Sequence, residues 1–153
     1  MKLTVRSFIL CNTSTQFVAE TTPINTQGIH HLGLNVPDIE QTAAFFIEQL
    51  HFKKVGEKPE YPAIFVSDGT VMLTLCKVAD RDNMVSFNRK QNIGLHHFAL
   101  KVADVEALDS LYQQLKSLEN VEIEFAPEPL GDLPIQHMMC FIPGGIRLEL
   151  ITA

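Results

Sequence analysis

Two stretches of the chain alternate apolar and polar residues with a period of two and then change at once to a helical period. From Ile29 to Val36, Leu32, Leu34 and Val36 share one face while His31, Gly33 and Asn35 share the other, the pattern of a half-buried strand. Asp38 then opens a helix as its N-cap, with Gln41 three residues on as the reciprocal capping-box partner. Ile39, Ala43, Phe46, Ile47 and Leu50 form its apolar stripe, which ends near His51. Phe52 to Glu57, Ala63 to Ser67 and Val71 to Val78 read as short strands, and Asp68-Gly69 is a hairpin-type turn. The first unit is therefore β-α-β-β-β.

The second stretch repeats this order. Leu95 to Val102 predicts a strand, and Asp104 caps a helix whose stripe is Val105, Leu108, Leu111, Leu115 and Leu118. Val121 to Phe125, Ile135 to Ile142 and Ile146 to Ile151 predict three further strands, with Pro143-Gly144-Gly145 as the last turn. The segments Gly28 to Asp38 and Gly94 to Asp104 match position by position in their His-His doublet, apolar residues and closing aspartate, so the unit is an internal repeat. The expected organisation is an N-terminal arm over 1–27, a first module over 28–78, a polar linker over 79–93 and a second module over 94–153. Neither half carries enough core alone, so the fold class is α+β: two repeated modules forming a cupped sheet with the helices outside.

Composition narrows the function. The chain has 153 residues, 46% of them hydrophobic and 20% charged, and no apolar run approaches the length of a membrane helix. A formal net charge of -6, with no Lys/Arg stripe, disfavours nucleic acid and points to small molecules. Cys11, Cys76 and Cys140 are odd in number and widely spaced, which suggests no disulfide framework and fits a reducing cytoplasm. The linker carries Arg81, Asp82, Arg89 and Lys90, as expected of a surface crossover.

The repeated His-x-x-x-x-Val-x-Asp, the Phe45-Phe46 pair and the closing Pro-Gly-Gly-Ile-Arg-Leu-Glu-Leu resemble the vicinal oxygen chelate superfamily. Its members include glyoxalase I, fosfomycin- and bleomycin-resistance proteins and extradiol ring-cleaving dioxygenases. The resemblance covers roughly Gly28 to Ile151 and implies a cup holding a divalent metal, with ligands from the first and last strands of each module. Alternation then selects the residues. His31 and His97 lie opposite the helix-facing apolar residues, whereas His30 and His96 point away. On the last strand Ile146, Leu148 and Leu150 take the apolar side, leaving Arg147, Glu149 and Ile151 inward. A carboxylate there is costly to keep ionised, and a cation is the simplest compensation. The expected metal ligands are His31, His97 and Glu149.

Overlaying Thr70 to Cys76 on Gly145 to Ile151 puts Thr74 where glyoxalase I carries a second carboxylate. Two histidines and one glutamate with open positions favour Fe(II), with Mn(II) or Zn(II) as options. Gly33 stands where a fosfomycin-resistance enzyme has threonine, and Met139 where an extradiol dioxygenase has tyrosine. His137 shares a face with Met139 and Phe141, so His137 and Glu149 are the candidate catalytic residues. Thr74, Met139, Phe141 and Arg147 are the candidate substrate contacts. The implied function is a divalent-metal-dependent enzyme of glyoxalase or dioxygenase type acting on a small vicinal-oxygen substrate. The alternative is a metal-free module that sequesters a small molecule. The expected partners are that substrate and a second copy in a homodimer, with no nucleic acid or membrane.

Overall fold

The computed structural model describes Thr26 and residues 28–152; the arm expected over 1–27 lies outside them apart from Thr26, and so does Cys11. The chain order is β1 (His31–Val36), α1 (Ile39–Leu50), β2 (Lys53–Lys58), β3 (Ala63–Ser67), β4 (Met72–Lys77), β5 (Phe98–Val102), α2 (Val105–Leu115), β6 (Glu122–Pro129), β7 (Gln136–Ile142) and β8 (Ile146–Thr152). The strands form two four-stranded sheets, ordered β1-β4-β3-β2 and β5-β8-β7-β6. In each, the first strand of a module runs parallel to the last, and the remaining pairs are antiparallel. This is the repeated α+β module that the periodicity implies. No helix among the described residues is long and apolar enough to cross a membrane.

Both helices begin where a side-chain oxygen meets an orphan amide. Asp38 Oδ1 accepts from Gln41 N at 2.9 Å, and Asp104 Oδ1 accepts from Ala107 N at 2.8 Å. The expected return bond from the Gln41 side chain is absent among the described residues, so only half of the capping box forms. His51, at φ 57, ends α1 in the left-handed conformation, and Phe52 N donates to Phe46 O at 3.0 Å. At the Asp68-Gly69 turn, Asp68 Oδ1 accepts from Thr70 N and Val71 N, while Gly69 takes φ +95. Gly144 at φ +94 and Gly145 at φ +73 turn β7 into β8.

Leu34, Val36, Phe46, Val66, Leu73 and Leu75 from the first module belong to the same buried cluster as Leu108, Leu115, Met138, Leu148 and Leu150 from the second. One core therefore serves both modules. Contacts that join them include Thr42 Oγ1 donating to Pro143 O at 3.4 Å and Gln114 Nε2 donating to Gln49 Oε1 at 2.8 Å. Gly144 also sits so close to Val36 that an added Cβ would lie 3.2 Å from Val36 Cγ1.

Two differences from the periodicity have local causes. β5 starts at Phe98 rather than Leu95, so the second His-His doublet precedes the regular strand. β6 runs on to Pro129, with register shifts between Ile123 and Phe125 and between Phe125 and Glu128. Those bulges break the two-residue period that delimits a strand in sequence.

Replacing Asp38 or Asp104 by alanine is expected to cost about 1 kcal/mol each, because each change orphans one amide. Phe46→Ala, at a side chain with no exposed surface, is expected to cost about 3–5 kcal/mol. Urea unfolding midpoints of the three variants check the ranking.

Candidate active site

The second sheet buries charge on the face turned away from its helix. β8 is an interior strand between β5 and β7, with Glu149 opposite Ala99 on one side and Met139 on the other. Glu149 is only 8% exposed, and two imidazoles reach it along the diagonals of the sheet. His137 Nδ1 lies 2.6 Å from Glu149 Oε1, and His97 Nε2 lies 3.2 Å from Oε2. Both carboxylate oxygens are thereby engaged, and no buried side-chain polar atom among the described residues lacks a partner. Phe125 packs against the His137 ring at a centroid distance of 5.1 Å.

Hydrogen-bond logic assigns the protons. A carboxylate only accepts, so His137 Nδ1 carries a hydrogen and donates it, leaving Nε2 as the basic nitrogen. That Nε2 is 4.0 Å from the exposed carboxylate of Glu128. Beside His97, the Nη1 of Arg147 lies 3.4 Å from His96 Nδ1, and His96 Nδ1 lies 2.8 Å from His97 Nδ1. A guanidinium has no acceptor, so His96 Nδ1 presents its lone pair and His97 Nδ1 carries the hydrogen between them. His97 Nε2 then faces the carboxylate either as an imidazolium N–H or as a lone pair with a cation between them. Loss of hydration, together with the nearby charges of Arg147, His97 and Arg89, holds His96 below the ordinary histidine range, consistent with that acceptor role.

The donor chemistry suits a divalent metal. An imidazole nitrogen and a carboxylate oxygen bound side by side to one cation stand roughly 3.0–3.4 Å apart when each bond is about 2.1 Å; the His97 to Glu149 separation is 3.2 Å. The His96 bond to the rear nitrogen of His97, and the His137 bond to the other oxygen of Glu149, are the kind of outer contacts that orient such ligands. Among the described residues a third ligand does not join them. Among the described residues no group of three His, Cys, Asp or Glu side chains converges on one point.

His31 is exposed at the start of β1, and its ring contacts are to His30, with Nδ1 to Nδ1 at 2.9 Å. The two doublets nevertheless have the same geometry, with near-perpendicular rings whose centroids lie 5.2 Å apart in His30-His31 and 5.1 Å apart in His96-His97. Thr74 lies on β4 opposite Gly33 and Phe65. It shares the first sheet with His31 and has no bond to the Glu149 group among the described residues. Met139 is buried beside Glu149, and Phe141 lies opposite Arg147.

Arg147 is nine-tenths buried, and its Nε donates to Glu124 Oε2 at 2.6 Å. The other oxygen of Glu124 accepts from Arg89 Nη2 at 2.6 Å. Sequence periodicity missed Glu124, Arg89, Phe125 and Glu128. Three of these lie on or between the β6 bulges, and Arg89 lies in the crossover. His30 and His96, expected to point away, precede the regular strands, and their rings bind the neighbouring imidazole; His96 also meets Arg147 and lines a cavity together with His97. The larger cavity, 960 Å³, is lined by Gly33 and Asn35 from the first module, by Met84, Val85 and Phe87 from the linker, and by His96, His97 and Arg147 from the second.

A model of the Glyoxalase/Bleomycin resistance protein/Dioxygenase superfamily matches residues 28–150. The chain is 27% identical over 151 residues to a 2-epi-5-epi-valiolone epimerase from Actinomyces sp, covering 81% of this chain and 78% of that one. A putative glyoxalase from Bacillus halodurans superposes with a TM-score of 0.67 at 25% identity, over 82% of this chain and 95% of that one. A lactoylglutathione lyase from Agrobacterium tumefaciens superposes with a TM-score of 0.64 at 19% identity, over 85% and 96%.

Burial pushes the Cys140 thiol up to about 12. The folded chain keeps a proton that the unfolded chain releases above roughly pH 8.5, so this residue's contribution falls as pH rises from there toward 12, by up to about 1.4 kcal/mol per pH unit. Urea unfolding between pH 8 and 11 is expected to show a steeper decline in the wild type than in Cys140→Ala; equal slopes would place the thiol in a more hydrated setting.

Proposed function

The chain belongs to the Glyoxalase/Bleomycin resistance protein/Dioxygenase superfamily, and from that premise we propose that it is a divalent-metal-dependent enzyme that moves a proton beside a carbonyl of a small vicinal-oxygen substrate, as an epimerase or isomerase does. The observation that carries this reading is Glu149, a buried carboxylate held between His97 and His137. The epimerase relative favours proton transfer over ring cleavage.

In this reading His97 and Glu149 hold the metal, and His31 of a second copy completes the set in a homodimer. The N/O donor set suits Fe(II), Mn(II) or Zn(II). When bound, the metal supplies positive charge that stabilises a developing enolate. Glu149 fixes the tautomer and ring plane of His137 through Nδ1, which leaves Nε2 to take the proton and return it. Phe125 packs on the His137 ring; Met139, Phe141 and Arg147 contact the substrate from this chain, and Thr74, on the same sheet as His31, contacts it from the second copy. The homodimer draws support from exposed Val85 and Ile93 in the linker and Ile29 before β1, which are 87%, 106% and 78% exposed.

The metal-free reading has its own observation, since both oxygens of Glu149 already have partners. Metal content and hydrogen exchange separate the two. Protein purified without chelators is expected to carry near-stoichiometric metal that His97→Ala, Glu149→Gln and His31→Ala each lose. The metal-loaded wild type is expected to exchange the α-hydrogen of small hydroxyketones with D2O, followed by NMR. His137→Asn should retain the metal and slow exchange by about 10²–10⁴-fold. Absence of metal after reconstitution, with ligand binding intact, would establish the sequestering module instead.

A further inference from the structure

The linker and the second sheet border a smaller, open recess of about 430 Å³, lined by Ser86, Phe87, Asn88, Arg89, Lys90, Phe141 and Arg147. Three of these seven residues are cationic and none is acidic, in a chain whose net charge is -6. We propose that this recess is a subsite for an oxyanionic group of the substrate, a carboxylate or a phosphate, and that it selects anionic vicinal-oxygen compounds for the reaction inferred above, on which this assignment rests.

Charge balance is the first argument. Arg147 and Arg89 share the single carboxylate of Glu124, one oxygen each, so the group retains a net positive charge although Arg147 is 10% exposed and Arg89 27%. Excess charge in such a place is compensated by a counter-ion.

Donor geometry is the second. Arg147 spends Nε on Glu124 and turns Nη1 toward His96 Nδ1 at 3.4 Å; Nη2 has no partner among the described residues. Among the described residues Arg89 spends only Nη2. Each guanidinium therefore keeps donors free of the kind that grip planar or tetrahedral oxyanions in pairs.

The third argument is that the cations are held in place. Asn88 N donates to Asn92 Oδ1 at 2.6 Å, Lys90 N donates to Asn88 Oδ1 at 2.9 Å, and Asn92 N donates to Asn88 O at 2.8 Å. This turn fixes the backbone that carries Arg89 and Lys90, and Glu124 holds the Arg89 guanidinium against the sheet, which lowers the entropic cost of binding. Arg147 and Glu149 lie two residues apart on the same face of β8, about 7 Å along the strand. A substrate anchored at Arg147 thus carries its charged group a few bonds from the carbon that meets the Glu149 group. The recess shares Ser86, Phe87, Phe141 and Arg147 with the larger cavity that His97 lines, so one molecule can occupy both.

The test is equilibrium binding to the full-length protein, by calorimetry, of inorganic phosphate in one arm and acetate in the other. Saturable binding of at least one is expected, and the arm that binds identifies the class of anion. Arg89→Gln at the rim should weaken it by about tenfold or more, the effect of losing a charge-assisted hydrogen bond. Glu124→Gln should tighten it, because the competing carboxylate is gone, and Lys58→Gln on exposed β2 should leave it unchanged. No saturable binding of either anion, affinity in Arg89→Gln equal to wild type, or no tightening in folded Glu124→Gln would each overturn the subsite. Glu149→Gln separates this assignment from the catalytic one. Anion binding that persists there while the wild type exchanges no α-hydrogen keeps the subsite and removes the proton-transfer reading.

Discussion

The contact of one buried carboxylate with two imidazoles organises the second half of this protein. Glu149 can sit at 8% exposure only because β8 is flanked on both sides, with the segment entering β5 bringing His97 and β7 bringing His137. An edge strand would give it one neighbour and water. The parallel pairing of β5 with β8 depends in turn on the α2 crossover, and the antiparallel pairing of β7 with β8 depends on the Gly144-Gly145 turn. Sheet order is therefore the structural cause of the site's chemistry, and the apolar core beneath Leu148 and Leu150 holds that order.

The first module has the same scaffold with different chemistry. Register places Thr74 where the second module has Glu149, since each lies opposite the residue two after its doublet histidine. By the same count Ala63 stands where His137 does. Only the doublet survives in both halves, with matching ring geometry. A histidine without a carboxylate is inexpensive to leave in water, and His31 is exposed. The carboxylate and its proton partner reside together in the second module, where the flanking strands and Phe125 of β6 pack around them.

Much of this was legible in the chain because it follows from period. Alternation places His31, His97, His137 and Glu149 opposite the helix-facing residues, and the aspartates mark both helix starts. What alternation could not supply is lateral geometry. His30 and the whole second doublet precede the regular strands, where alternation no longer fixes direction, and each first imidazole binds its neighbour. Glu124 lies between register shifts, where parity loses meaning. Arg89 reads as an ordinary solvated charge in a polar crossover; only the fold brings it within 2.6 Å of a carboxylate 35 positions along the chain.

The linker is thus more than a tether between repeats. A crossover that merely spans the modules needs polar residues and length, yet this one holds Met84, Val85 and Phe87 at its surface, 46%, 87% and 45% exposed. Here they line the same cavity as His97 and Arg147, and Arg89 fastens the segment to the second sheet. Duplication supplies two similar open faces, and the connection between them lines a cavity with both but bonds through Arg89 to the second. That asymmetry, imposed by a segment belonging to neither repeat, sets Arg89 on the carboxylate that Arg147 also holds in the second module, while the first keeps a solvent-facing histidine.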